Sequence, residues 1–161
     1  MNKQNQLPYY GFIIAVFVIS KLIYKNLGNQ ELLVFIAPVS NFVSLFINST
    51  VSFTIENGYY LSPLNILIDK SCSGFNFWLI SFVVIGFTVV THVEVQKTKI
   101  ILLISALFAA YLLTIIANTS RIISILKMND LFPILDKEYD WIHTAQGTFV
   151  YLFSSSGFIY C

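Results

Sequence analysis

Three side chains in this sequence have the chemistry of a covalent catalyst: the thiol of Cys72, the guanidinium of Arg121 and the imidazole of His143. A thiolate attacks carbonyl carbon, but an unassisted thiol is largely protonated at neutral pH. A helix N-terminus and a neighbouring cation both favour the anion. Cys72 lies in DKSCSGFNFWLI, residues 69–80, where a polar stretch runs straight into an apolar, helix-like segment. Its own helix supplies the first influence, with Ser71 as the expected cap, and Arg121 supplies the second if it approaches. Arg121 cannot act as a base, yet it can stabilise an oxyanion or orient a carbonyl. His143 is the candidate proton carrier. Ser73 and Gly74 are small enough for a substrate backbone to approach the sulfur, and Asn76 is a further supporting or substrate-binding candidate. Asn118 precedes Arg121 by three residues, on the same helical face. Gly147 follows His143 by four and permits close helix packing.

What must position these groups is read from composition. The chain has 161 residues, 57% hydrophobic and only 11% charged, with a mean hydropathy of +0.76. Soluble domains are nearer 45–50% apolar and about 25% charged, so the expectation is an integral membrane protein with one compact, all-α bundle across residues 1–161. A net charge of +1 and no basic patch argue against a nucleic-acid partner.

A membrane helix needs about 20 apolar residues, with roughly 17–25 tolerated. Residues 9–24, 31–47, 74–91, about 99–126 and 141–161 give about five transmembrane helices, the second kinked at Pro38 and the first preferred over a signal peptide. Residues 48–70 are rich in β-branched and aromatic residues and carry Asn57-Gly58, so two short strands forming a surface hairpin are expected before the third span. With five spans, the segments at 48–71 and 127–140 share the face of the N-terminus. Cys72, Arg121 and His143 then meet at one depth. Lys21, Lys25, Lys97 and Lys99 fall in short loops on the other face, making that face cytoplasmic by the positive-inside rule. This topology puts Cys72 outside the cytoplasm, in a multi-pass protein of the plasma (inner) membrane. It also separates Cys72 from Cys161, so Cys72 is expected to be a free thiol.

Each residue also has a bland reading. A lone cysteine is commonly buried and inert, an arginine at a helix end can snorkel to the interface, and His143 beside Trp141 fits an interfacial belt. A non-catalytic bundle, such as a small transporter subunit or assembly factor, therefore stands beside the enzyme. His92 and His143 lie on opposite faces in this topology and cannot build a zinc site, which usually takes three or four protein ligands. No metal or other cofactor is expected.

CSGFNF at 72–77, NTSR at 118–121 and HTAQG at 143–147 together resemble the three signatures of the exosortase and archaeosortase family, and the chain's brevity is similar to the compact exosortase K type. The resemblance spans roughly residues 55–155. It implies a membrane-embedded cysteine transpeptidase-like enzyme with Cys72 as nucleophile, His143 as proton carrier and Arg121 as stabilising cation. It implies substrates that are membrane-anchored proteins ending in a sorting signal: a short motif, a membrane helix and a basic tail. The surface strands at 51–68 would clamp such a substrate by strand addition.

Overall fold

Long apolar runs dictate most of the architecture. The computed structural model describes residues 6–62 and 66–131. In chain order these form α1 (Leu7–Asn26), α2 (Leu33–Ile47), β1 (Thr50–Thr54), β2 (Gly58–Ser62), β3 (Ile66–Ile68), a 3-10 turn (Lys70–Cys72), α3 (Phe75–His92) and α4 (Gln96–Leu131). Among the described residues, three helical stretches, Leu7–Asn26, Lys70–His92 and Gln96–Lys127, are long and apolar enough to cross a membrane. Phe12, Leu22, Ile80, Ile101, Ile104, Phe108 and Ile116 are all exposed, a cost in water that lipid removes. The helix expected at 141–161 lies outside the described residues.

The chain divides into two units. Among the described residues, the first comprises α1, α3 and the start of α4. Ile13, Phe82, Val90, Leu103, Ala106 and Ala110 form its buried core. Trp78 Nε1 donates to the Leu107 carbonyl at 3.1 Å, joining α3 to α4. Tyr24 stacks on Phe75 with centroids 4.6 Å apart, and Lys21 Nζ donates to Asn76 Oδ1 at 2.7 Å. At the other end Tyr10 meets Phe87 edge-on at 5.2 Å. Thus α1 and α3 run antiparallel, and the chain leaves this unit after Tyr24 and re-enters at Phe75 at the same end.

That pairing corrects the expected topology. α2 has 15 residues, about 22 Å at 1.5 Å per residue, short of a hydrocarbon core of about 30 Å. The expected topology has α1 and α3 cross in the same direction, whereas their contacts run them in opposite directions. The four lysines are also divided. Lys21 sits at the start of α3, whereas Lys99, buried in the first turns of α4, lies 5.5 Å from the Tyr9 ring at the start of α1. They no longer mark one common face.

In the second unit, α2 packs against a three-stranded antiparallel sheet of order β1-β2-β3. The expected hairpin has a third strand, pairing Tyr59 with Ile68 and Leu61 with Ile66. α2 runs on through Pro38 and ends at Asn48, which takes the left-handed conformation at φ 51°. The hairpin turn is longer than a two-residue Asn-Gly turn: Thr54 pairs with Gly58 across residues 55–57. Gly58 has φ +89°, and a Cβ there would lie 2.6 Å from the Ile68 carbonyl oxygen. Gly58→Ala therefore combines a strained dihedral with a backbone collision and is expected to cost about 2–3 kcal/mol, read as a lowered unfolding midpoint in detergent. A midpoint unchanged by the substitution would mean that β2 and β3 do not approach this closely.

Candidate active site

The site is assembled where β3 gives way to α3. Ile68 is buried and ends the sheet, and Asp69 then caps a tight turn. Cys72 N–H donates to the Asp69 carbonyl at 2.9 Å and Ser73 N–H to the Lys70 carbonyl at 3.2 Å. Asp69 Oδ1 accepts from Ser71 N–H at 2.9 Å and from Ser71 Oγ at 2.6 Å. Asp69 thus caps the 3-10 turn, because its short carboxylate reaches the backbone N–H two residues on. α3 begins only at Phe75, so Ser71, the expected cap, lies four residues before it.

Cys72 is a free, half-buried thiol, and its Sγ lies 3.8 Å from Ser71 Oγ. The chain passes into α3 through Gly74, whose φ of +69° is a conformation that glycine adopts without Cβ strain. Ser73 and Gly74 are both buried. Asn76 Oδ1 accepts from the Lys21 ammonium within the first unit.

The decisive contact comes from α4. Asn118 is fully buried, and its Nδ2 donates to the backbone carbonyl of Cys72. The helix that carries Asn118 is long: 36 residues, about 54 Å at 1.5 Å per residue. Arg121 is half-buried and stands one turn beyond Asn118 on the same face. The structure thus joins the Cys72 and Asn118 segments and sets Arg121 one turn from their junction. His143 and Gly147 lie outside the described residues.

Two positioning groups were missed in the sequence. One is Asp69, whose signal was an Asp two residues before a serine at a helix entrance. The other is Asn29, which donates from Nδ2 to the Glu56 carbonyl at 2.9 Å and accepts the Lys70 N–H on Oδ1 at 2.7 Å. It pins the β1–β2 connection to the turn that carries Cys72, and no local pattern announces it. A groove of about 570 Å³ between α2 and α4, lined by Phe42, Phe46, Ile115, Ile116, Thr119 and Ile123, opens on a face of α4 roughly 140° round from Asn118. It is no route to the sulfur.

Compared with known proteins, the chain matches no family model, no curated protein and no solved structure. The functional reading accordingly rests on the residues and their geometry.

Proposed function

We propose that this chain is a membrane-embedded cysteine peptidase or transpeptidase of the exosortase type, acting on membrane-anchored proteins that end in a sorting signal. The sulfur of Cys72 attacks a peptide carbonyl near the membrane boundary. Arg121 steadies the tetrahedral oxyanion. His143 protonates the leaving amine, the downstream helix departs, and water or an acceptor amine resolves the thioester. What supports this reading is one observation above the rest: the buried Asn118 amide holds the carbonyl of Cys72 itself. Two of the three sequence motifs that resemble the family are thereby tied by a hydrogen bond across 46 residues of chain.

The reading takes the protein as multi-pass in the plasma (inner) membrane, with the Cys72 end facing outward, where secreted precursors present their signals. This orientation draws nothing from the lysines, which are divided between the two ends of the α1–α3 pair.

A membrane-impermeant maleimide on intact cells tests thiol and orientation together. In a Cys161→Ser background, Cys72 is expected to label rapidly without permeabilisation, and Arg121→Ala is expected to slow labelling by about tenfold. A Cys72 that labels only after permeabilisation would reverse the orientation. One that stays unreactive throughout would leave the chain a non-catalytic bundle.

A further inference from the structure

We propose that Asp69, acting through Ser71, aims the Cys72 thiol and takes up its proton as the sulfur attacks. The inference rests on the peptidase reading of Cys72 and adds the group that removes the thiol proton. Ser71 has one hydroxyl proton, and an ionised carboxylate only accepts. The separation of 2.6 Å between Ser71 Oγ and Asp69 Oδ1 is that of a charge-assisted hydrogen bond, so the serine proton is committed to Asp69. Only oxygen lone pairs then remain to face Cys72 Sγ at 3.8 Å. This fixes the direction of the chain of bonds. The S–H points to Ser71 Oγ, the Ser71 O–H points to Asp69, and the sulfur lone pairs point away from both, free for an electrophile. Asp69 is itself held by the Ser71 N–H at 2.9 Å, and the turn is anchored by Asn29 on Lys70.

During attack the C–S bond forms while the S–H bond breaks, and the carbonyl π electrons move onto oxygen. The thiol proton passes to Ser71 Oγ as the serine proton passes to Asp69 Oδ1, leaving a neutral carboxylic acid that later returns its proton to water. Asp69 is a positioning residue here, since it reaches the sulfur only through Ser71. His143 is left with the opposite task, protonating the leaving amine.

The test needs no substrate. Purified full-length chain in the Cys161→Ser background is reacted with a water-soluble maleimide at neutral pH and the second-order rate measured. Ser71→Ala retains the backbone N–H bond to Asp69 and is expected to slow the reaction by about tenfold or more. Ser71→Thr restores the hydroxyl and is expected to recover the rate. Asp69→Asn keeps an oxygen that accepts both hydrogen bonds but does not take up a proton, and is expected to slow the reaction as Ser71→Ala does. A wild-type rate in either Ser71→Ala or Asp69→Asn, or no recovery in Ser71→Thr, overturns the proposal. If Ser71→Ala fails to fold, Asp69→Asn decides alone. Such a failure leaves the peptidase reading standing, because that reading is lost when Cys72 is unreactive throughout or when a chain without Cys72 still processes its substrate.

Discussion

Cells whose only copy carries Cys72→Ala are expected to accumulate uncleaved precursors, with turnover reduced by roughly 10³-fold or more, as when other covalent enzymes lose their nucleophile. The size of the effect follows from the step removed. Without sulfur no thioester forms, and Arg121 has no developing oxyanion to stabilise. Removing a supporting group should cost less. Arg121→Ala leaves the nucleophile in place and is expected to lose about 10²–10³-fold, the scale of one oxyanion donor. Arg121→Lys keeps the charge but lacks the planar fork, so it should recover only part of that loss. The measurement is the ratio of precursor to mature substrate among secreted proteins that end in a hydrophobic helix and basic residues. Equal processing by the Cys72→Ala chain would end the peptidase reading.

The sequence was most legible where the chemistry is averaged over many residues. The helices predicted at 9–24, 74–91 and 99–126 appear as Leu7–Asn26, Phe75–His92 and Gln96–Leu131, because each run of apolar side chains must hide its backbone in hydrogen bonds if it enters lipid. Span counting was fragile for the same reason. Residues 31–47 have a passing length, but the helix begins only at Leu33, and the antiparallel packing of α1 on α3 returns the chain to the end it left. One helix that fails to cross reverses every later loop. No residue in 31–47 carries that information; it resides in contacts such as Tyr24 on Phe75. The third strand was hidden because three residues are too few to show alternation, and its pairing with Tyr59–Leu61 is tertiary.

The site was half legible. Cys72, Asn118 and Arg121 were chosen for their chemistry, and the fold joins the first two. Ser71 is expected to cap the helix after Cys72, but a 3-10 turn intervenes, and both its backbone N–H and its hydroxyl donate to Asp69. Asn29 is not among the residues the sequence singles out. Its hold on Lys70 spans 41 residues of sequence, beyond any local pattern.

Asn118→Asp is expected to be the most damaging polar substitution in the second unit, and its comparison with Asn118→Ala separates two physical costs. Asn118 is fully buried and its Nδ2 is the donor to the Cys72 carbonyl. Alanine removes the donor and leaves that carbonyl without it, a cost of about 1–3 kcal/mol, with a small void besides. Aspartate fills the space almost atom for atom, so packing is preserved, but it sets a carboxylate oxygen against a carbonyl oxygen. Two acceptors then face each other, and a charge is buried at a cost of several kcal/mol that Arg121, one turn on, offsets only in part, or the group is forced to neutralise. Against a domain stability of about 5–15 kcal/mol, that penalty is enough to displace the Cys72 turn from α4. The unfolding midpoint in detergent should therefore fall in the order wild type, Asn118→Ala, Asn118→Asp, and the maleimide reactivity of Cys72 should change in the same order. An aspartate variant at least as stable as the alanine variant would show that packing, and not the hydrogen bond to Cys72, is what Asn118 supplies. The turn bearing the thiol would then have to be held by Asp69 and Asn29 without α4, and the link between the two sequence motifs would lose its energetic meaning.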